Sequence, residues 1–194
     1  MPEKLKREDL YSLEEYARVR PEFRRKVMAH KKERIVPIGP HVTLHFESRL
    51  TMHYQVQEML RAERIFEPEG IQDELDAYNP LIPEGSNWKA TLMVEYDDPE
   101  ERKQKLRELK GIERAVWIQV DDLPKVRPIA NEDLERETED KTSSVHFLRF
   151  ELTPEMVAAA KQGAPVRVGI DHPRYTYETT LSEPVRRSLV EDLH

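Results

Sequence analysis

Apolar and polar positions first alternate regularly at residues 41–47, where Val42, Leu44 and Phe46 interleave with His41, Thr43, His45 and Glu47. A period of two places the first set on one face of a strand and the histidines on the other. With residues 35–38 and the turn Gly39-Pro40, this predicts a hairpin. His41 and His45 read as surface histidines, since four residues of strand hold them about 13 Å apart, too far for one metal ion. The period then changes. Over residues 51–66, Met52, Val56, Met59, Leu60 and Phe66 form one stripe at 100° per residue, and His53, Gln57, Arg61 and Arg64 form a polar stripe opposite. This predicts a central helix. Glu63 falls inside the apolar stripe, so it is expected to be buried beside a cation, either an arginine such as Arg149 or a metal.

Upstream, Ser12 and Glu15 form a capping-box pattern that opens a helix. Pro21 reads as the first residue of a second helix that runs to about Lys32. Residues 1–34 are thus expected as a helical arm that packs on the body through Leu13, Tyr16, Val19, Phe23 and Val27. Residues 67–89 are irregular, with a short helix over Gly70–Ala77 and turns at Asn79-Pro80 and Pro83–Ser86. This stretch suits either a binding loop carrying Tyr78, Asn79 and Trp88, or a cover pinned by Leu81, Ile82 and Trp88.

The second half alternates more plainly. Buried strands are predicted at 90–96 and 115–120, with a helix from Asp98 to Gly111 between them. Asn131 is expected to open a short acidic helix, NEDLERETEDK, solvated because Leu134 is its one large apolar residue. A strand at 145–152, a helix from Thr153 to Gly163, strands VRVGID and YTYETTL around His172-Pro173, and a helix from Ser182 complete the chain. Strands follow one another without intervening helices, so the expectation is an α+β fold with a mixed or largely antiparallel sheet. It has a central helix, the N-terminal arm of 1–34 and a C-terminal helix, with residues 35–194 as a single domain.

Composition narrows the chemistry. The 194 residues include no cysteine, which removes thiol nucleophiles, disulfides, iron–sulfur ligation and cysteine zinc sites. No uncharged run approaches a bilayer span, and the opening stretch has no apolar signal core, so a cytoplasmic location is expected. Residues 1–34 carry a net +4 against −11 for the remainder, within an overall −7. The acidic body disfavours nucleic-acid binding; residues 18–34 are the weaker candidate for it, having few interleaved aromatics. Glycine-rich phosphate loops, the zinc-protease motif and the nucleophile elbow are missing. What remains is polar groups on apolar faces: His146 beside Leu148, Phe150 and Leu152, His172 beside Val166, Val168 and Ile170, and Glu63. Two histidines and a carboxylate suit iron, manganese or zinc, so Glu63, His146 and His172 are the candidate ligands for a non-haem metal ion. Each histidine equally suits a satisfied core or turn role. Arg61, Arg64, Tyr78, Asn79 and Arg149 are candidates for holding a small ligand.

Three stretches carry a resemblance: LYSLEEYARVRPEFRRKVMAHKKER, YQVQEMLRAERIFEPEGIQDELDAYNPLIPEGSNWKATLMVEY and DKTSSVHFLRFELTPEM. They resemble the bacterial family designated domain of unknown function 3501, over nearly the whole chain. The resemblance brings no catalytic residues. It implies an association with rubrerythrin-like and iron–sulfur reductase-like proteins, hence with redox or peroxide defence. Two functions follow as expectations. One is a non-catalytic accessory or binding component of a redox module, docking through its basic and acidic surfaces. The other is a small metal- or ligand-dependent enzyme built on the histidine and glutamate residues.

Overall fold

The computed structural model describes residues 3–194. Ser12 accepts a hydrogen bond from the Glu15 amide and opens helix α1, Leu13–Lys32. This helix is continuous through Pro21, where the sequence predicts a break. Proline's fixed φ suits a helix, but the missing N–H and the ring's clash with the preceding turn together cost about 3 kcal/mol in a helix interior. Anchors on both sides of Pro21 hold the helix whole: Tyr16 and Val27 are fully buried, and Arg20 forms a two-bonded ion pair with Glu58. Leu13, Val19 and Phe23 are only half-buried.

Strands β1 (Ile35–Ile38) and β2 (Val42–Phe46) form the predicted hairpin, and His41 and His45 are half-buried rather than on the open surface. Helix α2 covers Arg49–Ala62 and helix α3 covers Pro68–Tyr78. Together with α1 and the segment after α3 they enclose a small core of Leu5, Met52, Val56, Leu60, Leu75 and Ile82. The helix expected to be central is therefore the middle of a helical layer. This explains why Gln57, assigned to its polar stripe, is fully buried. Its amide clamps the Tyr11 backbone, accepting from the N–H at 2.7 Å and donating to the C=O at 3.3 Å.

Strand β3 (Asn87–Val94), helix α4 (Pro99–Glu108), the short helix α5 (Ile112–Ala115) and strand β4 (Val116–Val120) follow. Then come β5 (Ile129–Ala130), β6 (Val145–Glu151), helix α6 (Pro154–Lys161), β7 (Val166–His172), β8 (Tyr175–Thr180) and helix α7 (Glu183–Val190). Every pairing among these strands is antiparallel. One sheet has the order β1-β2-β3-β6-β5 and the other β4-β7-β8. Their apolar faces share one large core, from Val36 and Leu44 through Trp88, Leu92 and Phe150 to Ile118, Val168 and Leu189. Two buried contacts tie the chain end to this core. Arg34 forms an ion pair with Asp192 at 2.6 Å while bonding Ser188, and the Trp88 indole donates to the Leu189 carbonyl at 2.8 Å.

No helix forms over residues 131–141. Asn131 has a left-handed φ of 52° and goes on pairing with β6, its amide donating to the Phe147 carbonyl and its Oδ1 accepting from the Phe147 amide. A segment dense in like charges, with Leu134 exposed, buries too little to fold as a helix.

Candidate functional site

His146 stands on β6 opposite Leu92, on the buried face of the large sheet, as its alternation predicts. Both ring nitrogens are committed. Nε2 donates to the Ser143 carbonyl at 2.8 Å and lies 2.9 Å from the Thr142 hydroxyl, while Nδ1 accepts from the Asn131 amide at 2.8 Å. This is a neutral tautomer, and burial holds its pKa below the usual histidine value. His172 is committed too: Nε2 donates to the Lys110 carbonyl at 2.7 Å and Nδ1 accepts from the Arg174 amide at 3.0 Å. It is the last residue of β7, locked by backbone.

Glu63 lies elsewhere and is exposed, a correction to its expected burial. Helix α2 ends at Ala62, Glu63 is the capping residue, and Arg64 turns the chain away with φ 52°. The apolar stripe is thus cut short before Phe66, which is 71 % exposed. Among the described residues no three His, Asp or Glu side chains gather as a metal site, so Glu63, His146 and His172 are not brought together.

The ligand candidates have mostly structural partners. Asn79 clamps the Leu5 backbone, accepting from its N–H at 2.8 Å and donating to its C=O at 2.9 Å. The Tyr78 hydroxyl accepts from Gln55. Lys4 donates to the Asn79 and Ile82 carbonyls, and Lys89, buried, donates to the Pro80 carbonyl and pairs with Glu84 at 2.7 Å. Burial and the neighbouring Lys89 charge lower the Lys4 pKa to about 8. The 79–82 segment is therefore the cover that the sequence allows, pinned from beneath by two lysines. Arg149 pairs with Glu132 and Glu151, not with Glu63, and lines an apolar cleft of about 260 Å³ with Lys89, Pro80, Leu81 and Phe147. Arg61 and Arg64 are exposed at the end of α2.

The sequence gives no hint of what surrounds His146. Glu113, on α5, is 2 % exposed, and its carboxylate lies 3.4 Å from the Thr142 hydroxyl and 3.9 Å from His146 Nε2. Glu113 lines a cleft of about 350 Å³ with Asn131, Arg136 and Glu137. Burial, then the hydrogen bond and charge of Glu113, raise the Glu137 pKa. A carboxyl held up towards its protonated form beside a second carboxylate, at the mouth of a cleft, is an acid–base arrangement. The 113–137 pairing joins α5 to the irregular chain after β5 and has no periodic signal.

The second surface is the outward side of α1. Arg20 and Arg34 are used internally, but Arg18, Arg24, Arg25, Lys26, Lys31 and Lys32 form no ion pair among the described residues. Arg18, Arg25 and Lys32 recur every seven residues and so lie along one row of the helix. No helix among the described residues is long and apolar enough to cross a membrane.

The family described as "Protein of unknown function (DUF3501)" matches residues 4–193. A solved structure described as a novel protein of unknown function from Burkholderia pseudomallei K96243 is similar at 50 % identity and a TM-score of 0.94, covering 99 % of this chain and 100 % of that one. No curated protein matches.

Proposed function

The chain belongs to the DUF3501 family, and from that footing we propose that it is a non-catalytic binding component in the cytoplasm that docks an acidic protein surface through α1. The observation that carries this reading is the set of unpaired cations on α1, while Arg20, Arg34, Arg127, Arg136, Arg149 and Arg186 all hold carboxylates within the fold. On a chain of net charge −7, these six unpaired cations outnumber the three carboxylates of α1, Glu14, Glu15 and Glu22, and a net positive helix orients an acidic partner and speeds encounter. The resemblance supplies the first partners to try, rubrerythrin-like and iron–sulfur reductase-like proteins, and with them the redox or oxidative-stress setting. The test is a binding titration of these partners at low and high salt, with a triple variant Arg18→Glu, Arg25→Glu, Lys32→Glu. Affinity should fall at least about ten-fold with charge reversal and decline with salt. Equal binding by the variant, or salt-independent binding, would overturn the proposal.

A second reading, acid–base chemistry on a small molecule, is favoured by the Glu113–Glu137 carboxyl pair beside His146. A panel of hydrolysis and isomerisation substrates tests it. Turnover lost in Glu137→Gln supports the reading, and equal turnover in both proteins removes it.

A further inference from the structure

A groove of about 480 Å³ lies where the β1–β2 turn meets the β7–β8 turn, lined by His41, Tyr96, Glu101, Lys105, Arg174 and Tyr177. Its volume is in the range of small-molecule sites. Its walls are aromatic and rigid. The His41 ring stacks on Tyr96 with centroids 4.0 Å apart and planes 17° apart, and Tyr175 and Tyr177 meet at 4.6 Å. The buried Tyr175 hydroxyl donates to the Ile38 carbonyl and accepts from the His41 amide, which fixes the Gly39 turn beneath the two tyrosines. A side chain at Gly39 would come within 2.6 Å of both, and its φ of 71° is left-handed. Tyr177 nevertheless remains 45 % exposed. A large aromatic face offered to solvent on an ordered strand is a stacking platform.

The polar groups are equally specific. Arg174 forms no ion pair among the described residues, and Lys105 pairs with Glu108 outside the groove at 3.3 Å. The His41 Nδ1–H donates to the Glu95 carbonyl at 3.0 Å, which leaves Nε2 as a hydrogen-bond acceptor. Glu101 is a second acceptor. The groove thus offers an aromatic face, two cations and two acceptors. We propose that it binds a small molecule that joins a flat ring to an anionic group and carries hydrogen-bond donors between them, the chemistry of a nucleoside monophosphate. The ring stacks on Tyr177, the phosphate meets Arg174 and Lys105, and Glu101 and His41 accept from sugar hydroxyls or a ring amine. Stacking and a cation act together only on a ligand that has both parts.

Calorimetric titration of the full chain with adenosine monophosphate tests this, with adenosine, inorganic phosphate and an acidic proline-rich peptide as comparison ligands. The monophosphate should bind at least about ten-fold tighter than adenosine or phosphate alone. Tyr177→Ala and Arg174→Ala should each weaken it by about five-fold or more, whereas Tyr177→Phe, which keeps the ring, should match the parent. Both positions are exposed, so unchanged melting temperatures confirm that the variants fold. The α1 triple variant should bind the monophosphate as the parent does, so this proposal and the docking proposal fail separately. Binding no tighter than phosphate, affinity unchanged in Tyr177→Ala and Arg174→Ala, or preference for the peptide would overturn it.

Discussion

Replacing Asp192 by alanine removes the carboxylate that Arg34 reaches through two nitrogens, at 2.6 and 3.0 Å. Arg34 is 2 % exposed, so its guanidinium would stay buried with a charge that no water can solvate. Breaking a buried pair from one side destabilises by about 3–5 kcal/mol. The bonds from Arg34 to the Ser188 hydroxyl and carbonyl remain, but neither supplies a negative charge. For a chain of this length each kcal/mol shifts the melting temperature by about 2–4 °C, so Asp192→Ala should melt about 6–20 °C lower. Replacing both partners, Arg34→Met with Asp192→Leu, removes the stranded charge along with its mate. The double variant should recover most of the loss, because a buried ion pair and a well-packed apolar pair are of similar stability. Differential scanning calorimetry on the parent, Arg34→Met, Asp192→Leu and the double variant gives the cycle. If Asp192→Ala melts within a degree or two of the parent, or if the double variant loses as much as the two single losses together, the pair is not buried as described.

Gly169→Ala should destabilise the fold by about 1–3 kcal/mol by chemical denaturation, because the new Cβ would lie 2.6 Å from Trp117 Cε2 and 2.9 Å from the Tyr177 carbonyl oxygen; a neutral result would mean that the indole swings aside freely. Stability should also fall as pH drops from about 7 towards 5. His30 is lowered to about 4, and His45, His53 and His146 are lowered, by burial in each case, so the unfolded chain takes up protons below 6.5 that the folded chain refuses. Glu47, raised to about 7 by burial, acts with the opposite sign, and Glu74, Glu137 and Asp192, raised from 4.5, 4.5 and 3.8, do so towards the acid end, whereas the four histidines, starting from 6.5, govern the upper part of the interval. Denaturant midpoints that stay level or rise on acidification to pH 5 would contradict this.

How far the sequence carries is set by whether a feature repeats. The strands over 42–46 and 116–120 are legible because each lays three apolar residues on one face of a shared core, and the strand over 145–151 because Leu148 and Phe150, continued by Leu152, do the same. His146 was readable as buried for the same reason. The stripe on α2 misleads in two ways. The helix stops before Glu63, and α2 is enclosed by α1 and α3, which buries Gln57 where one-sided packing would expose it. Pro21 suggests a break because its local penalty is visible, whereas the contacts of Tyr16, Arg20 and Val27 that override it are tertiary. Glu113 and Glu137 were not legible as a pair, since they are 24 positions apart, on either side of β4 and β5, and only the fold sets them side by side.

The order of strands along the chain has a consequence for inheritance. Strand β4, which belongs to the smaller sheet, lies in sequence between β3 and β6 of the larger one, and β7 and β8 follow after both. Neither sheet is a contiguous stretch of gene, so no single crossover between two relatives can exchange one sheet whole and keep the other. A crossover inside residues 87–172 mixes strands from two parents within a shared core, where a change of even one methylene is felt. Because β1 and β2 pair into the larger sheet beside β3, a crossover between Ile35 and Asn87 divides it as well, so recombinant chimaeras should survive mainly when the crossover falls before Ile35. The two sheets are expected to have diverged as one unit, each constraining the residues that the other could accept.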